Sequence, residues 1–204
     1  MPAAQKSLKR YRELADKKGR AEHGVFLVGG ENAISQIAAP HPDEITEIIS
    51  IVQPPGALRR YPVRTVTESQ FRYISAAQTP QGIAAVVRLP QDVYAAALPS
   101  STGDRILLLE DVQDPGNVGT LIRTASALGF DGVVLTESSA DPFSPKVVQA
   151  AAGTVLSVWL RKTAQYLDLV KTLKQAGYAI VAADVHGNDG PAILAKQKKT
   201  VLAL

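Results

Sequence analysis

The 204-residue chain contains no cysteine, which excludes disulfides and thiolate metal sites and suits a reducing, cytoplasmic setting. Histidine is scarce as well: His23, His41 and His186 are scattered without the close spacing of metal ligands, so no metal is expected. No apolar run approaches the roughly 20 residues that span a bilayer, and the opening residues lack the charged and apolar regions of a secretory signal. Neither an internal repeat nor a low-complexity tract is present. No Gly-x-Gly-x-x-Gly follows the first strand of either half, which disfavours a Rossmann-type nucleotide enzyme.

What the chain does have is 46% hydrophobic residues, enough for one moderate core or two small ones. Its net charge of +3 is modest but unevenly placed. Before residue 21, Lys6, Lys9, Arg10, Arg12, Lys17, Lys18 and Arg20 oppose only Glu13 and Asp16. A basic, helical arm of this kind favours a phosphate backbone through counterion release, and Tyr11 within it is expected to stack on an exposed base. The competing reading is a solvated, frayed terminus. Arg59, Arg60, Arg64, Arg72 and Arg88 would strengthen the same field if the fold gathers them on one face.

A composition change marks the organisation. Residues 89–104, with two prolines and a Ser-Ser-Thr-Gly tail, read as a linker between an N-terminal domain over 1–88 and a second domain over 105–204. The first should hold strands near 25–28, 45–52 and 82–87 with helices near 31–38 and 68–76. The second should hold strands near 106–110, 132–136, 155–160, 178–183 and 200–204, with helices near 118–128, 146–151 and 164–175. Strand alternating with helix predicts an α/β fold with a parallel sheet in the second domain.

The most informative stretch runs from Asp111 through Asp114-Pro-Gly-Asn117-Val-Gly119 to Arg123-Thr124. A short apolar strand ends, Pro115 and Gly116 turn the chain, and Asn117 is expected to cap a helix that Gly129 stops. Val118, Leu121, Ile122, Ala125 and Leu128 recur at helical spacing as the buried stripe, so Arg123 and Thr124 fall outside it. A strand end, a Gly-rich turn and a helix N-terminus suit an anion such as phosphate. On spacing alone, a plain capped helix with a solvated arginine fits as well.

The run Asp114-Pro-Gly-Asn117-x-Gly119-x-x-x-Arg123-Thr124 resembles the first signature of the SpoU-type RNA ribose 2′-O-methyltransferases of the knotted SPOUT superfamily. The segments Ala125–Thr136 and Asp141–Val148 resemble the same family, in order and at similar spacing. Phe26-Leu-Val-Gly-Gly-Glu31-Asn-Ala and Gln78-Thr-Pro80-Gln-Gly82 resemble its small substrate-binding domain. The likeness covers about residue 6 to residue 204, and it departs at Gln149–Gly153, where many relatives carry an arginine and a serine.

The resemblance implies an N-terminal L30e-like α/β domain and a C-terminal parallel-sheet SPOUT (α/β knot) domain. It implies an enzyme that methylates a ribose 2′-hydroxyl of rRNA or tRNA with S-adenosyl-L-methionine, acting as a homodimer. Arg123 and Asn117 would be the catalytic pair, Ala183 and Leu204 would border the cofactor, and the basic arm with Lys146 would hold RNA. Members of the family continue past a strand like Thr200–Leu204 into segments that thread the knot and supply most of the cofactor pocket. The expectation is therefore a domain truncated before the knot, in a natural polypeptide that runs further. The alternative is a non-catalytic RNA-binding or assembly protein with an inert methyltransferase-like domain.

Overall fold

The computed structural model describes residues 7–187, 190 and 192–204. Ser7 caps α1 (Leu8–Glu13) by accepting a hydrogen bond from the Lys9 amide, and Gly24 at φ 64° ends α2 (Lys17–His23). There follow β1 (Val25–Gly29), α3 (Glu31–Ala38), β2 (Ile45–Ser50), β3 (Val63–Thr65), α4 (Glu68–Ile74) and β4 (Ile83–Arg88). These strands form one sheet in the order β1-β4-β2-β3, antiparallel except where β2 pairs with β3.

β4 reads as an unbroken apolar run because both its faces are covered. Ile83, Ala85 and Val87 join Phe26, Val28, Ile34 and Ile37 on one face, whereas Ala84 and Val86 meet Tyr11, Leu14, Phe71 and Ile74 on the other. The basic arm is thus anchored by its apolar residues. Tyr11 is 1% exposed and donates to Glu47 at 2.8 Å, so it does not stack on an exposed base as expected. Period-two burial on a covered sheet takes the ring before RNA can.

The second half holds β5 (Arg105–Leu109), α5 (Pro115–Ala127), β6 (Gly132–Thr136), α6 (Pro145–Ala150), β7 (Trp159–Thr163), α7 (Tyr166–Gln175), β8 (Ala179–Ala182), α8 (Ala192–Ala195) and β9 (Thr200–Ala203). Its sheet is wholly parallel in the order β7-β6-β5-β9-β8. α5 and α6 cover one face through Val118, Ile122, Val147 and Val148, and α7 covers the other through Leu169 and Leu173. One apolar cluster runs through both halves, with the Phe26 and Phe143 rings edge to face at 4.8 Å.

Two expected elements differ. The strand near 155–160 is a 3-10 turn over Thr154–Leu156 followed by β7, because Gly153 at φ 93° turns the chain and Val155 drops into the core. Arg161 and Lys162 in β7 are buried, which hides the strand from a hydrophobicity reading. Arg161 is compensated by Asp92 at 2.5 Å and the Ala97 carbonyl at 2.8 Å. Leu128, expected on the buried stripe, is 62% exposed, since α5 stops at Ala127 and Leu128 caps it.

Candidate active site

In an open parallel sheet, ligands sit beyond the carboxyl ends of the strands, where the chain order reverses. Here the order runs outward from β5 through β6 to β7 on one side and returns through β9 on the other, so the switch lies between β5 and β9. The loop carrying Asp111 to Asn117 leaves from that point. Leu204 follows β9 there, its amide donating to the Leu108 carbonyl at 2.9 Å and its carbonyl accepting from the Glu110 amide at 3.0 Å. Ala183, exposed at the end of β8, donates to the Ala203 carbonyl at 2.9 Å. The fold therefore brings Ala183, Leu204 and the Asp111–Asn117 loop together along three neighbouring strand ends.

The loop is tightly fastened. Asp111 sits at φ 52°, an uncommon conformation for a non-glycine residue. Its amide donates to Thr136 Oγ1 at 2.8 Å, and the Thr136 hydroxyl donates back to Asp111 Oδ1 at 2.7 Å. The Val112 amide donates to Ser139 Oγ at 3.2 Å, and Ala140 N–H to the Val112 carbonyl at 2.9 Å. Beneath this turn the Lys162 ammonium, only 6% exposed, donates to the carbonyls of Thr136 (3.3 Å), Glu137 (2.6 Å) and Ser139. Burial pushes the Lys162 amine below its ordinary value, opposed by the Glu137 carboxylate. From the far side of the sheet, Tyr166 at the start of α7 donates to Glu110 at 2.6 Å, a bond that raises the phenol's pKa.

Asn117 is not the N-cap. Asp114 takes that place, its Oδ1 accepting from the Asn117 amide at 2.8 Å, with Pro115 at the first helical position. Asp-Pro is the stronger start signal, and it leaves the Asn117 side chain exposed in the first turn without a capping duty. Arg123 lies six residues on, about 9 Å along the axis; helical side chains lean toward the N-terminus, so it leans toward Thr120, one turn nearer Asn117. Asn117, Thr120, Arg123 and Thr124 are all exposed on this stripe. Arg123 makes no hydrogen bond or ion pair with another described residue, and no bond links it to Asn117.

Gly119 answers to packing between helices, not to a strand. A Cβ there would lie 2.5 Å from the Val147 carbonyl oxygen and 2.6 Å from Ala150 Cβ, so only glycine lets α5 and α6 approach this closely.

The expected RNA contacts separate into distinct groups. Lys6 lies outside the described residues. Lys9 and Lys18 are exposed, Arg10 is half-buried, and Lys9 stands 3.8 Å from Glu13. Arg12 lies over the half-exposed Tyr73 ring at 4.8 Å and donates to its carbonyl, while Lys17 stands over Tyr94 at 4.3 Å. Lys146 is exposed at the rim of a cavity beside α6.

Arg20 contradicts its assignment. It is 2% exposed, ion-paired to Asp141 at 3.3 Å, and donates to the Leu14 and Ala15 carbonyls at 2.9 and 2.8 Å. It fastens α2 to the second half of the chain, because a buried guanidinium needs a carboxylate and carbonyls more than it can serve a solvent-facing phosphate. The further arginines are held locally, Arg59 by the Pro54 carbonyl, Arg60 by Ala38, Arg72 by Glu68 and Arg88 by Asp43.

Sequence reading missed Thr136, Ser139 and Lys162. A hydroxyl ending an apolar strand and another three residues later were the available signal for the first two; nothing local marked Lys162.

Residues 104–204 match the model of the SpoU rRNA Methylase family, and residues 5–85 match that of the MRM3-like substrate binding domain. The chain is 34% identical over 174 residues to the 23S rRNA (guanosine(2553)-2'-O)-methyltransferase RlmP of Bacillus subtilis, covering 83% of this chain and 67% of that protein. It is 28% identical over 176 residues to the mitochondrial rRNA methyltransferase 3 of Xenopus laevis, covering 82% of this chain and 42% of the relative. It thus spans about two thirds of the length of the first and under half of the second. Among solved structures, the AdoMet-bound rRNA methyltransferase from Sinorhizobium meliloti is similar with a TM-score of 0.75 and 27% identity, over 96% of this chain and 76% of that one.

Proposed function

Because this chain belongs to the SpoU rRNA methylase family, we propose that it methylates a ribose 2′-hydroxyl of ribosomal RNA with S-adenosylmethionine as donor. The observation that carries this reading is an exposed arginine, Arg123, paired with no other described residue and standing beside a loop that is strained at Asp111 and tied down by Thr136, Ser139 and Lys162. Such fastening holds a functional constellation in place before substrate arrives.

Small, exposed side chains at the strand ends support an adenosyl site. Ala182 and Ala183 are small and exposed, Leu204 is 41% exposed, and β8 and β9 present them side by side. Ala183 and Leu204 would border the cofactor, which when bound supplies an electrophilic methyl on sulfur. The chain's own task is the nucleophile. A ribose hydroxyl is weakly nucleophilic at neutral pH and must be oriented and lose its proton as the oxygen–carbon bond forms. A guanidinium keeps its proton, so Arg123 is not the base. It grips the adjoining phosphate through its planar fork and stabilises the developing alkoxide, the proton passing to solvent or to that phosphate. Asn117, relieved of capping by Asp114, orients the ribose.

The arm residues Lys9, Arg10, Arg12, Lys17 and Lys18, with Lys146, supply phosphate contacts; Arg20 is excluded. Residues 1–88 serve as the RNA-binding domain, 89–104 as linker and 105–204 as the methyltransferase domain, in a cytoplasmic homodimer. No helix among the described residues is long and apolar enough to cross a membrane. Incubation with tritiated S-adenosylmethionine and undermethylated 23S rRNA, followed by nuclease digestion, tests the reading. Label in a 2′-O-methylated nucleoside supports it, and label confined to bases contradicts it.

A further inference from the structure

A cavity of about 250 Å³ opens between the four-stranded sheet and α6, away from Asn117 and Arg123, neither of which lines it. We propose that it receives one unpaired base of the RNA substrate while Lys146 at its rim holds an adjoining phosphate. The inference rests on the RNA-methylating reading above and specifies where a nucleotide next to the reacting one is held.

Segments that no step of the reaction uses converge on this cavity, among them Gly29, Gly30 and Asn32 at the β1–α3 turn, the end of α4, the Thr79–Gln81 stretch ahead of β4, and the start of α6. Its floor is apolar, with Phe71, Ile83 and Phe143 buried beneath it. Its rim carries the exposed amides of Asn32, Gln81 and Gln149. Amides offer both donors and acceptors, which is what the Watson–Crick edge of a splayed base demands, and an apolar floor suits its face. Among the described residues Lys146 is the one charged member of the lining, matching a single phosphate. The volume falls below the roughly 300–1,000 Å³ of pockets for larger ligands, so it suits one base with its sugar.

The two glycines at the β1 end differ. Gly30 is required by its backbone, at φ 90°, and the space its missing Cβ leaves is used by the Gln81 amide, whose Oε1 is only 2.7 Å from where that Cβ would stand. Gly29 has no such requirement. Its φ is not positive, and nothing lies within 4 Å of its missing Cβ. Neither backbone nor packing calls for glycine there; its effect is to keep the cavity open.

The test compares the 204-residue chain with Gly29→Leu, with the double variant Gln81→Ala/Gln149→Ala, and with Lys146→Ala. The probes are a 4-thiouridine-substituted 23S rRNA transcript and bulk tRNA, each titrated at several salt concentrations and photocrosslinked. Gly29→Leu fills the cavity without removing charge, so it should weaken binding by about tenfold at every salt concentration, the scale of one lost base contact. The amide variant should do the same, and both should keep the parent's melting temperature. Lys146→Ala should reduce the slope of log affinity against log salt by about one. Crosslinks should map to the cavity lining and fade in Gly29→Leu. If the parent binds RNA but the cavity variants bind as tightly, or crosslinks lie elsewhere, the cavity holds no base and the methylating reading stands without it. If the parent binds neither RNA, both fall together.

Discussion

Replacing Arg20 by alanine separates structure from RNA binding most sharply, because the residue belongs to a basic arm yet is buried. Its guanidinium carries an ion pair to Asp141 at 3.3 Å and two hydrogen bonds to the carbonyls of Leu14 and Ala15. Asp141 is further held by the Tyr94 hydroxyl at 3.0 Å and the Phe143 amide at 2.8 Å. Burial of the ring, and after it the Asp141 carboxylate, push the Tyr94 phenol well above its ordinary 10.0. Breaking a buried pair by removing one partner costs about 3–5 kcal/mol. Asp141 keeps two other donors and some solvent, so Arg20→Ala should fall near 3 kcal/mol, at the lower end. Asp141→Ala leaves a buried guanidinium with carbonyls alone and should fall at the upper end. In a chain of this size each kcal/mol lowers the melting temperature by about 2–4 °C. A drop of about 6–12 °C is thus expected for Arg20→Ala, read by calorimetry, with the salt slope of RNA binding unchanged below the transition. A melting temperature within about 2 °C of the parent, together with a slope reduced by about one, would place Arg20 on the RNA surface and not in a buried ion pair.

Two other perturbations probe the parts that hold the site. Gly119→Ala gains up to about 1 kcal/mol of helix propensity, but its Cβ meets the Val147 carbonyl and Ala150; a net loss of about 1–3 kcal/mol in urea unfolding is expected, and a gain would show that α5 and α6 can separate freely. Lys162 titrates below its ordinary 10.5 in the fold. Between those two values the unfolded chain binds more protons than the folded one, so this group's share of stability rises with pH there. Lys162→Met should flatten that rise and loosen the Asp111–Asn117 loop, lowering kcat more than it raises KM; an unchanged pH profile of stability would contradict the burial argument.

Much of the fold was legible in the sequence because its signals were local. Glu31–Ala38, preceded by Gly30 and followed by Pro40, and Gly132–Thr136, opened by glycine, carried clean apolar patterns, and both form as read. β7 was displaced because two of its residues, Arg161 and Lys162, are charged yet buried, their partners lying far off at Asp92, Ala97 and the 136–139 turn. Hydrophobicity cannot register a charge that tertiary contacts compensate. The same blindness put Arg20 among the RNA contacts, since its carboxylate sits at residue 141. Asn117 was misread as the cap because a shorter look-back passed over Asp114, whose Pro at the next position is the stronger mark. Ala183, Leu204 and the Asp111–Asn117 loop meet only through strand order, a property no single segment carries.

On the function proposed, an exposed Arg123 grips phosphate and alkoxide through its fork while playing no part in the fold. Methyl transfer to 23S rRNA by Arg123→Lys and Arg123→Ala, measured in single turnover beside RNA affinity and melting temperature, tests it most directly. Both variants should lose about 2.7 kcal/mol or more of transition-state stabilisation, a hundredfold or greater fall in rate, with affinity within about threefold of the parent and an unshifted melting temperature. Turnover by Arg123→Lys at the parent's rate would contradict it.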